Sequence, residues 1–169
     1  SSDLIEGQSL AQVAIGLENG TEALDSIAKW GLQIAEALSH AHQRGVIHRD
    51  VKPSNVILDS NGTVWLTDFG LAKRADELTL TVAGVLMGTP RYMSPEQANS
   101  AHKPIDHRTD IYSLGATLYE LATGKPLFEA QTPHAVICQI LADEPRAPRQ
   151  VNPKLSDRKS TRLNSSHVS

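Results

Sequence analysis

The stretch VIHRDVKPSN, residues 46–55, brings together three polar side chains of different chemistry. Asp50 is a carboxylate, Lys52 an ammonium and Asn55 an amide, and they stand within six positions between apolar runs. A second carboxylate, Asp68, ends the later of two β-prone runs, NVILD and TVWLTD, which are separated by SNG. This spacing is a strong hairpin signal, and a hairpin brings its two ends together. We therefore expect Asn55 and Asp68 to reach a common ion.

Hydrophobic spacing predicts helices around this hairpin. Apolar residues recur three, four or seven apart from about Glu22 to Gln43, after the turn ENGT, and Gly45 ends the pattern. Further helices are predicted for DIYSLGATLYELATG and for residues 132–142, whereas the start, SSDLIEGQSL, is typical of a strand end and a turn. No period holds from Phe69 to Tyr92, which favours a long functional loop.

The composition is that of an ordinary globular chain and indicates no particular class of binding partner. The 169 residues are 40% hydrophobic and 21% charged, and the net charge of −3 gives no indication of nucleic-acid binding. No apolar run approaches the about 20 residues that a membrane span needs, and the start has no signal-peptide pattern, so we expect a cytoplasmic location. The single cysteine, Cys138, excludes an internal disulfide and is predicted to pack in a partly buried helix.

The polar cluster has the parts that phosphoryl transfer needs. That reaction requires metal to neutralise phosphate oxygens, a carboxylate that receives or orients the hydrogen of the nucleophile, and fixed positions for all of them. Asp50 offers that carboxylate, Asn55 and Asp68 offer the hard oxygen ligands that Mg²⁺ prefers, and Lys52 offers a positive charge for the migrating phosphate. Each motif alone is also consistent with a structural role, such as an aspartate that caps a turn.

Four motifs in order give the chain a family resemblance. HRDVKPSN, DFG, GTPRYMSPE and DIYSLG together resemble the C-lobe of the eukaryotic-like protein Ser/Thr kinases, especially their bacterial branch. The resemblance covers about residues 3–155. It implies an α+β, protein-kinase-like fold with a mainly α-helical C-lobe and a short catalytic-site β-hairpin. SPE at residues 94–96 departs mildly from the Ala-Pro-Glu that the family often has.

By position, the resemblance implies a role for each member of the cluster. Asp50 would be the catalytic base or orienter for a Ser/Thr hydroxyl, and Lys52 would stabilise the γ-phosphate of ATP. Asn55 would bind one Mg²⁺, or Mn²⁺ in its place. Asp68 would bridge metal to the β- and γ-phosphates.

The resemblance gives the residues around the cluster structural roles. His48 and Phe69 would stack in the hydrophobic spine that joins the lobes, and Asp110 would anchor the backbone of the catalytic loop. His40 and His42 lie on the preceding predicted helix, and no Cys or further His stands at a spacing suited to a metal site. We expect both to be helix-surface residues.

A third group of residues belongs to the substrate side and the activation loop. Thr89 would touch Asp50, help to orient it and mark the Ser/Thr-specific form of the family. Arg49 would pair with a phosphate added to the activation loop, a bidentate contact that orders a mobile segment. Thr79 and Thr81 are the candidate acceptors, and a second copy of the kinase is a candidate for the enzyme that phosphorylates them.

The chain opens on DLIEG, which resembles the hinge between the two lobes. By that alignment Asp3 and Ile5 would offer backbone groups to adenine, while Leu10 and Ile57 would form the floor of its pocket. The Gly-rich loop, strand lysine and paired glutamate of the family do not occur in the sequence. We therefore expect residues 1–156 to be a partial protein kinase domain with the N-lobe absent.

The last residues, 157–169, share neither pattern nor composition with the rest. DRKSTRLNSSH, their first part, is what one reading frame of a common sequencing-adapter string encodes, and we expect a non-native tail.

The expected function is that of a protein Ser/Thr kinase that acts on proteins, cytoplasmic either as a free protein or as the cytosolic domain of a membrane-anchored kinase. Residues 1–156 alone are predicted to be inactive. Two alternatives remain: a pseudokinase or scaffold module, and a small-molecule phosphotransferase of kinase-like fold, which would not predict GTPRYMSPE.

Overall fold

The computed structural model describes residues 6–17, 21–69, 90–99 and 105–156, which form a mainly helical body with one small antiparallel sheet. The predicted α+β class is confirmed, as are the long predicted helices, to within two residues at each end. No helix in these ranges is long and apolar enough to cross a bilayer. The elements are β1 (Gly7–Ser9), α1 (Leu10–Gly16), α2 (Thr21–His42), β2 (Val56–Asp59), β3 (Val64–Leu66), α3 (Pro95–Ala98), α4 (Arg108–Thr123), α5 (Pro133–Ala142) and α6 (Pro148–Val151), with 3₁₀ turns at Pro53–Asn55, Pro90–Tyr92 and Pro153–Ser156.

The predicted hairpin is confirmed and forms most of the sheet. The strand order is β1-β2-β3, and Val56 lies opposite Leu66 across the hairpin. Asp59 closes the turn, because its Oδ1 accepts the backbone N–H groups of Asn61 and Thr63 at 2.8 and 2.9 Å. A hydrogen bond from the exposed indole of Trp65 to Asp59 lowers the pKa of that carboxyl. The residues of SNG thus form a local turn that fixes the strand register.

Helix α2 carries the centre of the hydrophobic core. One stripe of α2 is buried against α4 and the hairpin, as a period of 3.6 residues requires. Gly31 permits a close approach of the two helices, since a Cβ there would lie 3.1 Å from Leu118. The buried residues of this core cluster are Leu10, Ile27, Trp30, Ile34, Leu38, Val51, Val56, Leu114 and Leu121.

A polar contact attaches the hairpin to α2. Gln33 donates from Nε2 to the carbonyl of Gly62 at 3.2 Å, and its Oε1 accepts the N–H of Val64 at 2.9 Å. The hairpin, whose ends carry Asn55 and Asp68, is therefore fixed to the core helix by hydrogen bonds as well as by apolar packing.

Helix α1 is a structural element that the sequence reading missed. No element is predicted for its residues, because a helix of seven residues with only Leu10 buried is too short to show a period. The signal that identifies it is the capping box of Ser9 and Gln12, a serine followed three residues later by glutamine.

The prediction that Cys138 packs in a partly buried helix is wrong about burial. Helix α5 forms, but its thiol is exposed. The buried face of α5 is defined by Val136 and Ile140, and Cys138 lies two positions from each, about 200° around the helix. The apolar run HAVICQIL alone did not show which face is inside.

Gly7 lies where β1 approaches β2 closely. A Cβ at this position would lie 2.5 Å from the carbonyl oxygen of Leu58 and 2.7 Å from Cγ2 of Ile57. We expect Gly7→Ala to lower the free energy of unfolding by about 1–3 kcal/mol, because the strand must move away. Urea denaturation followed by tryptophan fluorescence measures this.

The matched control for this prediction is Gly115→Ala. Gly115 lies within α4, and a Cβ there meets nothing within 4 Å. Alanine should leave stability unchanged or raise it by about 0.5–1 kcal/mol, since glycine is the poorer helix former. Equal effects of the two substitutions would contradict the packing seen at Gly7.

Candidate active site

One buried carboxylate holds the loop that contains Asp50. Asp110, in the first turn of α4, has no exposed surface. Its Oδ1 accepts the backbone N–H of Arg49 at 2.7 Å, and its Oδ2 accepts the backbone N–H of His48 at 2.9 Å. The predicted anchoring of the loop backbone by Asp110 is therefore confirmed.

His42 contributes to the same arrangement, so its predicted place on the helix surface is wrong. Its side chain is only 13% exposed, and its Nε2 lies 2.7 Å from Oδ2 of Asp110. The helical pattern alone could not show this, because the loop and α4 fold back over the last turn of α2. His40, in contrast, is exposed as predicted.

The backbone is strained at two points of the site. Among the described non-glycine residues, positive φ angles occur at Arg49, with φ 66°, and at Asp68, with φ 58°. Such conformations cost of order 1–3 kcal/mol each and persist only where the surroundings impose them. At Arg49, the hydrogen bond from its backbone N–H to Asp110 helps to impose this conformation. Strain thus lies next to Asp50 and at Asp68 itself.

His48 is a structural residue, as predicted. It is fully buried, and its ring packs on Phe69 with the centroids 4.6 Å apart. Its Nε2 donates to the carbonyl of Thr67 at 2.9 Å, and its Nδ1 accepts the N–H of Asp50 at 3.2 Å. A carbonyl can only accept and an amide N–H can only donate, so these two bonds require the neutral imidazole. His48 therefore joins the loop that contains Asp50 to the end of β3.

The structure brings the three polar side chains of residues 50–55 together. Lys52 donates from Nζ to Oδ2 of Asp50 at 2.8 Å. Asn55 donates from Nδ2 to the same oxygen at 3.1 Å and to the carbonyl of Asp50 at 2.9 Å. Asn55 is 6% exposed, so its amide has one fixed orientation, whereas the side chains of Lys52 and Asp50 are 32% and 28% exposed. Asp50 is therefore both oriented and accessible.

Asn55 and Asp68 lie at adjoining ends of the hairpin. The carbonyl of Asn55 accepts the N–H of Thr67 at 2.9 Å, which places Asp68 one residue beyond that bond. The side-chain nitrogen of Asn55 faces Asp50, so the side-chain oxygen of Asn55 points away from Asp50. Asp68 is exposed. An amide oxygen and a carboxylate are suitable donors for Mg²⁺. The residues present therefore fit a metal-binding role.

The predicted adenine pocket is only partly described. Leu10 is completely buried in the same core cluster as Val56. Its place in the floor of the adenine pocket stays a prediction. Ile57, on β2, is half-buried and can still form part of the pocket floor. Five further predicted site residues lie outside the described residues: Asp3, Ile5, Thr79, Thr81 and Thr89.

Helix α3 contributes two residues to the site that the sequence reading missed. Gln97 donates from Nε2 to the carbonyl of Arg49 at 3.0 Å, and Ser94 lies 2.7 Å from Thr109 through their hydroxyl oxygens. Ser94 and Gln97 form a capping box that the sequence does show. The bond to Arg49 joins residues 48 positions apart, and no local signal indicates it.

The segment before α3 is fixed on α4. Tyr92 donates its hydroxyl to Oε2 of Glu120 at 2.7 Å, and Ser113 donates to the carbonyl of Tyr92 at 2.7 Å. Burial, and then the hydrogen bond to Glu120, raise the pKa of Tyr92 well above its usual range. Tyr92 therefore remains a hydrogen-bond donor at every physiological pH.

Sequence comparisons with known proteins agree with this arrangement. A sequence profile of the protein kinase domain matches residues 2–167. The chain is 42% identical over 135 residues to a probable serine/threonine-protein kinase of Clostridium acetobutylicum, an alignment covering 80% of this chain and 20% of the relative. It is 40% identical over 146 residues to the probable serine/threonine-protein kinase PknB of Corynebacterium glutamicum, covering 85% and 22%. It is 41% identical over 152 residues to the serine/threonine-protein kinase PkaA of Streptomyces coelicolor, covering 88% and 27%.

These relatives are much longer than the matched region. The chain spans 20–27% of their lengths. The profile nevertheless covers nearly all of the chain, and the described residues carry the fold and the polar cluster that its motifs predict. The chain belongs to the protein kinase family.

Proposed function

We propose that the full-length gene product containing this chain is a protein Ser/Thr kinase, which transfers the γ-phosphate of ATP to hydroxyl groups of proteins. The observation that carries the proposal is Asp50, an accessible carboxylate oriented by Lys52 and Asn55 on a loop that Asp110 fixes. Kinases of this family generally use ATP and Mg²⁺. The names of the bacterial relatives support the same reaction.

Asp50 receives or orients the hydrogen of the attacking Ser or Thr hydroxyl. The bonds from Lys52 and Asn55 to Oδ2 restrict rotation of the carboxylate, so it meets the hydroxyl in one orientation. Such positioning accounts for much of the catalysis of phosphoryl transfer, because the reaction needs little covalent chemistry from the protein. Lys52 also places a positive charge where the phosphate migrates.

Asn55 and Asp68 would hold the metal, Mg²⁺ or Mn²⁺, which would supply the positive charge that neutralises the phosphate oxygens of ATP. Ile57 forms part of the adenine pocket, and the backbone groups of Asp3 and Ile5 bind the adenine edge. This proposal rests on the donor set at the two hairpin ends and on the half-buried position of Ile57.

The proposal extends to regulation. Arg49 binds a phosphate on Thr79 or Thr81 that a second copy of the kinase adds, and Thr89 orients Asp50 for Ser/Thr substrates. The fixed backbone of Arg49 supports this, because a rigid base for a guanidinium reduces the entropy lost on binding a phosphate. Protein substrates are the partners, and the cytoplasm is the proposed location.

The role of Asp68 gives a direct test of the metal site. We expect Asp68→Asn to lower kcat by about 100-fold or more and to raise the Mg²⁺ concentration needed for half-maximal rate, since an amide is a weaker metal ligand than a carboxylate. Initial rates of ADP release by the full-length protein across a Mg²⁺ titration measure both effects.

The control for Asp68 is Asp143→Asn, at the exposed end of α5. It should behave as wild type. A wild-type rate and Mg²⁺ dependence in Asp68→Asn would remove Asp68 from the metal site and leave the kinase function standing. Absence of phosphate transfer by the wild-type protein would refute the function itself.

A further inference from the structure

We propose that Gln97 is a positioning residue for Asp50, which fixes the peptide between Arg49 and Asp50 and joins the N-terminus of α3 to the catalytic loop. The inference rests on the proposed function, because it concerns how the catalytic carboxylate is oriented. It assigns a role to a residue that neither the motif spacing nor the metal and phosphate chemistry requires.

The peptide between Arg49 and Asp50 is held at both ends. Its carbonyl accepts from Nε2 of Gln97 at 3.0 Å, and its N–H donates to Nδ1 of His48 at 3.2 Å. The preceding N–H, that of Arg49, donates to Asp110 at 2.7 Å. Both peptides that flank the strained Arg49 are therefore fixed, and with them the direction in which Asp50 leaves the backbone.

The amide of Gln97 is itself oriented by α3. Its Oε1 accepts the N–H of Ser94 at 3.0 Å, and Oγ of Ser94 accepts the N–H of Gln97 at 3.3 Å. Ser94 is fully buried and lies 2.7 Å from the Thr109 hydroxyl on α4. With the oxygen of Gln97 occupied by Ser94, the nitrogen must face Arg49.

This geometry explains why the position requires glutamine. A capping box accepts glutamate as readily as glutamine, because only the acceptor oxygen is used. The carbonyl of Arg49, however, needs a hydrogen-bond donor. The amide of Gln97 supplies both the acceptor oxygen for Ser94 and the donor nitrogen for Arg49. A substitution can therefore separate the two roles of the side chain.

Gln97→Glu is the variant that makes this separation. It keeps the acceptor for Ser94 but places a carboxylate oxygen against the carbonyl of Arg49, which repels it. We expect kcat of the full-length protein to fall about 10-fold or more while KM for ATP and for protein substrate stays within about twofold, because orientation and not binding is lost. Amide exchange at Arg49 and Asp50 should rise about 10-fold, with that at Ala98 unchanged.

Two further variants complete the test. Gln12→Glu changes the same capping-box position on α1, which has no hydrogen bond to the loop among the described residues, and should leave kcat and loop exchange at wild-type values. Gln97→Met removes both the donor to Arg49 and the acceptor for Ser94 without adding charge, and should raise loop exchange and lower kcat in the same direction as Gln97→Glu.

The outcomes separate this inference from the proposed function. If Gln97→Glu matches Gln12→Glu in kcat and in exchange at Arg49 and Asp50, the positioning role is overturned while the kinase function stands. If the wild-type protein transfers no phosphate, the function fails. In that case exchange still decides the role of Gln97: a rise confined to the loop supports it, and unchanged exchange overturns it.

Discussion

Replacing Asp50 with asparagine is expected to lower kcat by about 1,000-fold, the most drastic loss for a single exchange in the site. Asparagine has nearly the same shape, and its one remaining oxygen can still accept from Lys52 and Asn55, but it cannot receive a proton. KM for ATP should stay within about threefold, because Asp50 acts on the hydroxyl substrate. Initial rates of ADP release by the full-length protein give both constants.

The control for this exchange is Glu36→Gln. It makes the same change from carboxylate to amide on the exposed face of α2 and should leave kcat unchanged. A rate above about one tenth of wild type in Asp50→Asn would remove Asp50 from the reaction, since loss of a general base costs far more. No transfer by wild type or variant would favour a pseudokinase or scaffold.

The second large effect is expected at Asp110. Asp110→Asn should lower the free energy of unfolding by about 2–4 kcal/mol and kcat by about 100-fold. The carboxylate accepts from the backbones of His48 and Arg49 and contacts His42 without any exposed surface, and the NH₂ of asparagine would face one of these donors. Urea denaturation and initial rates measure the two losses.

Asp106→Asn is the matched control. Asp106 is exposed just before α4, and asparagine can still accept the N–H of Arg108 that it bonds at 2.9 Å. Its stability should change by less than about 0.5 kcal/mol. If Asp110→Asn is no more destabilising than Asp106→Asn, the loop does not depend on the buried carboxylate, and the anchoring role would have to be abandoned.

The parts of the fold and site that the sequence predicts are local in the chain. The hairpin follows from strand and turn residues that are neighbours, and the long helices follow from repeated apolar spacing. Asp50, Lys52 and Asn55 stand within six positions, so their grouping needs no tertiary information. The confirmed anchoring by Asp110 came from the order of the motifs in the family, and not from periodicity.

The parts that the sequence does not predict depend on contacts between distant residues. His42 and Asp110 are 68 positions apart, and Gln97 and Arg49 are 48 apart. Leu10 likewise belongs to a core cluster with residues of α2 and the hairpin, and its own sequence neighbours do not indicate these partners. Tertiary packing selects these contacts, and a helical face alone does not reveal which elements cover it.

The most direct measurement is transfer of the γ-phosphate of labelled ATP by the full-length gene product to a protein substrate, followed by phosphoamino-acid analysis. Wild type and Asp50→Asn are compared at equal concentration with Mg²⁺. We expect label in phosphoserine or phosphothreonine with wild type, and none above background with the variant. Equal labelling by Asp50→Asn, label confined to phosphotyrosine, or no transfer by the wild-type protein would contradict the assignment of residues 46–55 and Asp68 to Ser/Thr phosphorylation.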